Sequence, residues 1–397
     1  MPRAFHLVGL LLLWPLAAIA GEPSAPAEGA DVLPLQPVEE LKLPLEPAAP
    51  PELLPAPQPP AEEPAPPVKP MLRTVKGYYV GYADDSFEAV RRYASALDIV
   101  AGQWLAVDRA GQIKEAPDFA RNDEVRRIVH AAGRKVYTCV INKDFDRGVL
   151  TSILSSAARR SATIDRIIAF VEKKGDDGID LDFEGVRAGH QAGYTAFVKE
   201  LSEKLHARGK ELSIALDVTW GGAPSPGLDY RVLAQYADSI MPMTYTYGPG
   251  RVPHSPISYL EQAAKLGVRS MAPEKFMIGI GVYGRDYNLR TGQRTHPNAQ
   301  KLQAILANHS PKVTLNEKTL TKTLSYQDAS GHAHLMHFDD PETIRAKLTR
   351  LAERYQVSAV GFWRLGQEDP AMWDFIQVAS GRKRPNETAS YSIRSAW

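Results

Sequence analysis

The sequence predicts a closed α/β barrel of eight parallel strands, each followed by a helix, with a small α+β insertion after the seventh strand. Three observations lead there. Short β-rich runs alternate with amphipathic stretches from Val75 onward, the pattern of repeated βα units around a parallel sheet. Eight such runs can be counted, the number that closes a (β/α)8 barrel. About 310 residues lie between Met71 and Ser380, too many for a small module and suited to one large core.

The first twenty residues read differently. Arg3 precedes an apolar run, Leu7 to Leu13, and the segment closes on Ala18-Ile19-Ala20, the pattern of a cleavable secretory signal. A membrane anchor is the rival, but Phe5 to Ala20 is 16 residues with Pro15 inside, short of the roughly 20 that cross a bilayer. The expectation is a periplasmic or secreted protein without stable membrane insertion after cleavage. Residues 21–70 hold 16 of the 31 prolines, and nine acids against two lysines give this stretch a net charge of −7. Proline fixes φ and removes donors, and Leu33, Leu35 and Leu41 are too sparse for a core. A disordered, semi-extended spacer is expected rather than a proline-recognition ligand.

The eight β-rich runs are Val75 to Val80, Asp98 to Leu105, Lys135 to Ile141, Gly178 to Glu184, Glu211 to Asp217, Ser239 to Tyr245, Phe276 to Tyr283 and Ala359 to Trp363. Between them lie stretches such as Asn122 to Ala132, Ile164 to Lys174, Tyr194 to Arg208 and Pro341 to Tyr355, with Leu, Ile and Val three or four residues apart. An open doubly wound sheet would advertise a glycine-rich phosphate turn after its first strand. Here Gly77-Tyr78-Tyr79-Val80-Gly81 carries aromatics instead. The 57 residues between Tyr283 and Pro341 exceed a plain connection and contain the β-like runs Val313 to Leu315, Leu324 to Gln327 and His334 to Phe338. They are read as the insertion, about residues 285–340. Residues 381–397 are basic at first and then unpatterned, and are expected to fray.

Composition narrows the chemistry. Forty-seven Lys and Arg against 46 Asp and Glu leave +1 overall, and residues 71–397 carry +7, neither of which recommends nucleic acid. No phosphate loop or nucleic-acid motif occurs. Cys139 is the single cysteine and reads as a small core residue, since no histidine signature accompanies it. His332, His334 and His337 alternate within the insertion but lack companion acids at a zinc spacing. No metal and no cofactor is expected.

The most informative stretch is Gly175-Asp176-Asp177-Gly178-Ile179-Asp180-Leu181-Asp182-Phe183-Glu184. Alternate side chains of a strand share a face, so Ile179, Leu181 and Phe183 project one way and Asp180, Asp182 and Glu184 the other. Parallel barrel strands are usually apolar on both faces, so a carboxylate column there calls for a purpose. Crowded, poorly solvated carboxylates cannot all ionise, and one retained proton is what a general acid needs. Glu184 ends the strand at the rim where barrel enzymes place their sites, with Asp182 as its coupled partner. A calcium loop would need polar interleaving residues and a glycine at its sixth position. A solvated edge strand would not carry three large hydrophobes on its other face.

These residues resemble a known family. Asp177-Gly178-Ile179-Asp180-Leu181-Asp182-Phe183-Glu184 matches the D-G-x-D-x-D-x-E signature of glycoside hydrolase family 18, the chitinase-like enzymes, on their fourth barrel strand. Met241-Pro242-Met243-Thr244-Tyr245 is similar to the family's sixth-strand motif, Gly279-Ile280-Gly281-Val282-Tyr283-Gly284-Arg285 to its seventh, and Gly361-Phe362-Trp363-Arg364-Leu365-Gly366 to its eighth. The last, continuing Gln367-Glu368-Asp369-Pro370, resembles most the branch containing spore-cortex-lytic and other peptidoglycan-directed members. The likeness spans nearly all of Val75 to Ala379.

The resemblance implies retaining hydrolysis without an enzyme nucleophile, in which the sugar's own acetamide attacks C1. Glu184 would be the acid and base, and Asp182 would orient the acetamide and stabilise the oxazolinium ion. Asp180 would share protons with Asp182, Tyr245 would bond the acetamide oxygen, and Trp363 would form the floor beneath the sugar. The family often has Asp after that tyrosine, where this chain has Thr246, which bears on acetamide positioning and pH optimum. Tyr82, Trp104, Tyr247 and Tyr283 end or follow strands, where an aromatic either stacks on a sugar or fills the barrel rim. Asn142 either donates to a sugar hydroxyl or caps the next element. Trp363, Met243, Tyr283, Asn142 and Tyr82 form the candidate sugar-binding set. The implied partner is a polysaccharide containing N-acetylglucosamine, with peptidoglycan favoured and chitin-like oligomers the alternative. Joint retention of Glu184, Asp182 and Tyr245 favours an enzyme over a non-catalytic glycan-binding protein or a tethered scaffold on the same barrel.

Overall fold

The computed structural model describes residues 70–116 and 119–384, the side chains of residues 119 and 120 excepted. The expected signal, the proline-rich segment up to residue 69 and the tail beyond residue 384 lie outside the described residues.

The strands in chain order are β1 (Thr74–Tyr79), β2 (Ile99–Val107) with its short antiparallel partner β3 (Ile113–Glu115), β4 (Lys135–Asn142), β5 (Gly178–Asp182), β6 (Glu211–Leu216), β7 (Ser239–Pro242) and β8 (Ile278–Gly281). An insertion follows, with β9 (Arg285–Asn288), β10 (Arg294–Thr295), β11 (Thr314–Asn316), β12 (Thr321–Gln327) and β13 (Ala333–Phe338), and the chain then returns as β14 (Ala359–Trp363). Parallel neighbours run β7-β6-β5-β4-β2-β1-β14-β8. The ring closes where Ile240 bridges Phe276 and the Met277 N–H donates to the Ile240 carbonyl at 3.0 Å. This is a TIM barrel. Around it lie α1 (Asp84–Tyr93), α2 (Phe119–Ala131), α3 (Arg147–Leu154), α4 (Ala157–Lys174), α5 (Gln191–His206), α6 (Tyr230–Leu233) and α7 (Ile257–Ser270). The insertion contributes α8 (Ala299–His309), and α9 (Pro341–Tyr355) and α10 (Met372–Ala379) complete the outer layer.

Local chemistry sets the approach to the acidic strand. α4 begins where Ser156 Oγ accepts from the Arg159 N–H, and it stops at Gly175, whose φ of 72° is left-handed and free of the Cβ penalty. Asp176 and Asp177 then anchor the entry to β5. Asp176 takes the Arg126 guanidinium at 2.7 Å and the Thr138 hydroxyl, and Asp177 accepts the Val136 N–H at 2.8 Å. Asp176, just before the motif, and Asp177, its first acid, are structural and lie at the N-terminal end of the strand.

The alternation separates two cores. Ile179, Leu181 and Phe183 pack outward in the large cluster shared with Ile164, Ile167, Phe197 and Leu201 of the helices. Inside the barrel lie Tyr78, Cys139, Ala215, Met241, Met243 and Tyr245, with Trp363 packed against them. The insertion is an antiparallel sheet in the order β10-β9-β13-β12-β11. Its own small core joins Leu302 of α8 to Leu324, Met336 and Phe338. Three strands stop two or more residues earlier than the apolar runs suggested. β5 ends at Asp182, β7 at Pro242 and β8 at Gly281, so Glu184, Tyr245 and Tyr283 stand on the loops above the ladder. At Pro242 the reason is local, because proline has no N–H to continue a ladder.

Candidate active site

The deepest carboxylate is Asp180. It is buried together with Lys76, whose ammonium lies 2.6 Å from Asp180 Oδ1 and donates also to Ser213 Oγ at 2.9 Å. The Tyr78 hydroxyl donates to Asp180 Oδ2 at 2.7 Å. Both Asp180 oxygens are thus engaged from β1. A cation reaching across from that strand neutralises the lowest acid, which makes three carboxylates on one face tolerable. Lys76 and Tyr78 carried a signal in the sequence, a lysine two residues from a tyrosine on the inward face of an otherwise apolar strand.

Asp182, one step higher, is buried at 3% exposure, with Oδ1 unpartnered among the described residues and Cys139 Sγ 4.0 Å from Oδ2. Burial first, then the charges of Glu184, Asp180 and Asp217, hold its carboxyl well above the usual carboxylate range. Cys139 is likewise driven up by burial and by Asp182, so it is a neutral thiol filling the barrel interior.

Glu184 is half-buried, and burial followed by the charge of Asp217 pushes its carboxyl from 4.5 to about 7. Its main chain is gripped by neighbouring strands. Asn142 Oδ1 accepts the Glu184 N–H at 2.9 Å, and Asn142 Nδ2 donates to the Glu184 and Asp146 carbonyls, each at 3.2 Å. Asn142 is therefore buried and spent on holding the acid, not free to meet a sugar hydroxyl. Asp217, just past β6, accepts the N–H of Gly185 at 2.7 Å. Gly185 has φ of 80°, a left-handed turn that lets the chain leave the strand immediately after the acid. The site reading from sequence missed Asp217, although it ends a barrel strand with the inward parity of Ser213 and Ala215.

The aromatic candidates divide. Tyr245 and Trp363 stack at 6.3 Å with 13° between planes, and Tyr78 tilts against Trp363 at 5.5 Å. Trp363 is half-buried and packs against the interior cluster. Burial and then Asp182 raise the Tyr245 phenol well above its usual value, so it stays a hydrogen-bond donor. Met243 is buried in the same interior cluster. Tyr283 is a brace rather than an open platform, because its hydroxyl donates to the Tyr245 carbonyl at 3.0 Å and its ring stacks on His254 at 4.6 Å. Trp104 is core, its indole N–H on Thr138 and its face under Arg126. Tyr247 packs on Tyr259 at 5.2 Å, while Tyr82 is 75% exposed on the loop after β1. Thr246 is held near the Met243 carbonyl and the Tyr259 hydroxyl, at 3.3 and 3.4 Å.

Elsewhere, a cavity of about 370 Å³ opens at the opposite, N-terminal end of the barrel, and its lining includes Lys135, Glu211, Arg134 and Asp98. Lys135 pairs with Glu211 at 2.6 Å and Arg134 faces Asp98 at 3.7 Å, which suits a structural seam. In the insertion, His334 pairs with Asp286 at 2.8 Å, whereas His337 bonds the Arg251 carbonyl and Thr323. Among the described residues no group of three or more His, Cys, Asp or Glu is arranged to hold a metal, and no helix is long and apolar enough to cross a membrane.

A TIM barrel with paired carboxylates at the C-terminal rim of one strand and an aromatic floor beside them is the construction of a glycosidase. The sequence profile of the glycosyl hydrolases family 18 matches residues 77–368, so the chain belongs to that family and is a glycoside hydrolase acting on glycan. Among curated proteins it is 25% identical to the uncharacterized glycosylase YvbX of Bacillus subtilis, over 76% of this chain and 91% of that one. It is 24% identical to the cortical fragment-lytic enzyme of Bacillus anthracis, over 68% of this chain and 64% of that one. Among solved structures, the spore cortex-lytic enzyme SleL of Bacillus megaterium superposes with a TM-score of 0.72 at 20% identity, covering 79% and 75% of the two chains. A chitinase from Chromobacterium violaceum superposes at 0.71 and 22%, covering 78% and 98%.

Proposed function

We propose that this protein is an exported enzyme that cleaves β-linked N-acetylglucosamine-containing glycan, peptidoglycan in preference to chitin oligomers, by substrate-assisted retention. The observation that carries this reading is the half-buried Glu184 at the barrel rim, its carboxyl raised to about 7, above a buried Asp182 whose Oδ1 has no partner among the described residues. Glu184 donates its proton to the glycosidic oxygen as that bond to C1 breaks. The acetamide oxygen of the same sugar attacks C1, Asp182 Oδ1 accepts the acetamide N–H, and the Tyr245 hydroxyl donates to the acetamide oxygen. The resulting oxazolinium ion is opened by water at C1, and Glu184 takes the proton that water releases. Trp363 supports the apolar face of the reacting ring.

Relatives named as cortical fragment-lytic and spore cortex-lytic enzymes support the wall-glycan side of the reading, and those named as chitinases support the alternative. Export is supported by the signal pattern of residues 1–20.

Incubation with peptidoglycan and with chitin oligomers, followed by mass analysis of the released ends, tests both substrate and chemistry. Glu184→Gln is expected to keep sugar binding and to lose roughly two to four orders of magnitude in kcat. Equal rates from the variant and the natural protein would overturn the assignment of the acid. Cleavage confined to chitin oligomers would overturn the preference for peptidoglycan.

A further inference from the structure

Glu184 lies beyond the last hydrogen-bonded residue of β5, so the sheet does not fix its main chain. Two side chains from the flanking strands take over. Asn142, at the end of β4, holds the Glu184 N–H and carbonyl, and Asp217, past the end of β6, holds the next N–H, that of Gly185, at 2.7 Å. Asp217 differs from Asn142 in bringing charge. It is the neighbour whose charge acts on the Glu184 carboxyl, and it acts on Asp182 as well. Thr246, past β7, carries no charge.

The groups that share an electrostatic field with Glu184 are Asp182 on its own strand, Cys139 on β4, Tyr245 past β7 and Asp217 past β6. Those around Asp217 are Arg187 on the loop after the acid, Tyr194 of α5, Tyr230 of α6 and Tyr259 of α7. Burial raises the Asp217 carboxyl, and the Gly185 N–H it accepts and the charge of exposed Arg187 draw it back down, while the three tyrosines are buried phenols.

Resting on the reading of Glu184 as the acid, we propose that Asp217 is a positioning residue with two separable effects. Its carboxylate anchors the Gly185 amide and so fixes where Glu184 leaves its strand, and it brings a second carboxyl group to the turn that carries that acid. A group with only a structural role would act on position and leave the titration unchanged.

Two substitutions separate the effects. Asp217→Asn keeps a carbonyl oxygen to accept the Gly185 N–H and removes the charge, whereas Asp217→Ala removes both. Glu184 is followed by NMR in protein carrying ¹³C-labelled glutamate carboxyls, its signal assigned by its loss in Glu184→Gln, with kcat and KM measured across pH. In Asp217→Asn the Glu184 midpoint is expected to fall from about 7 by about one pH unit, and the alkaline limb of kcat/KM to follow it. Its kcat at the new optimum should stay within about threefold of the natural protein. Asp217→Ala should show the same midpoint but lose about tenfold or more in kcat, the cost of a displaced acid. A Glu184 midpoint unchanged in Asp217→Asn overturns the electrostatic effect, and equal kcat in the two variants overturns the anchoring. The NMR titration needs no turnover, so an inactive natural protein would defeat the glycosidase reading while the titration still decides this one.

Discussion

Glu184 trades stability for a usable proton. Its folded-state value of about 7 stands above the ordinary 4.5, so between these values the native protein holds a proton that the unfolded chain has released. The contribution of this group to native stability therefore falls as pH rises through that window, by about 3 kcal/mol. Glu184→Gln removes the titration, and in urea unfolding it should gain by this amount over the natural protein at pH 8 and show little gain at pH 4. Identical pH profiles for the two proteins would contradict the burial argument. Lys76 presents the opposite case. It and Asp180 are a fully buried pair at 2.6 Å, so Lys76→Met leaves an uncompensated carboxylate and should cost about 3–5 kcal/mol in urea unfolding. Removing both charges, as Lys76→Met with Asp180→Asn, should recover most of that loss, because the penalty lies in the unpaired charge.

At the scale of elements, α9 shows how a loop is handed back from the insertion to the barrel. Asp340 accepts the Thr343 N–H at 3.0 Å, the Thr343 hydroxyl contacts the Asp340 main chain in return, and Pro341 stands at the first helical position. Asp340→Ala is expected to cost about 1 kcal/mol, read as a lowered urea midpoint with unchanged slope. Asp340 also pairs with Lys322 at 2.6 Å, so Lys322→Ala should weaken the effect of the cap substitution if the two act together. The same element carries Lys347, whose ammonium meets Asp339 at 2.5 Å and the Ser255 carbonyl at 2.7 Å, in the layer behind His254 and Tyr283. Asp339 Oδ2 in turn lies 3.5 Å from His254 Nε2, and His254 stacks on Tyr283, the tyrosine that supports Tyr245.

For the whole molecule, barrel closure is uneven. β4 and β5 share a ladder of five aligned pairs, while β7 meets the start of β8 through the Ile240–Phe276 bridge. Opening at that seam breaks the fewest main-chain bonds. Native-state hydrogen exchange should therefore find the Met277 amide, which donates to Ile240, less protected than the amides of β5. Comparable protection at both places would show that side-chain packing, including Met241 and Met277 inside the barrel, closes the seam as firmly as the ladders do.

The amino-acid sequence by itself determined the repeating βα pattern, the inward facing of Asp180 and Asp182 against the outward facing of Ile179, Leu181 and Phe183, and the insertion between β8 and α9. Each follows from spacing along a few residues, where strand and helix periods act without knowledge of the rest of the chain. Only the tertiary structure decided that Lys76 meets Asp180, 104 residues away, that Asn142 and Asp217 grip the main chain around Glu184, and that Tyr283 supports Tyr245. It also decided that Trp104 is core and Tyr82 exposed. The physical reason is that a side chain's partner across a closed ring depends on register, tilt and the point at which each strand ends. Those are settled only when all eight strands close together.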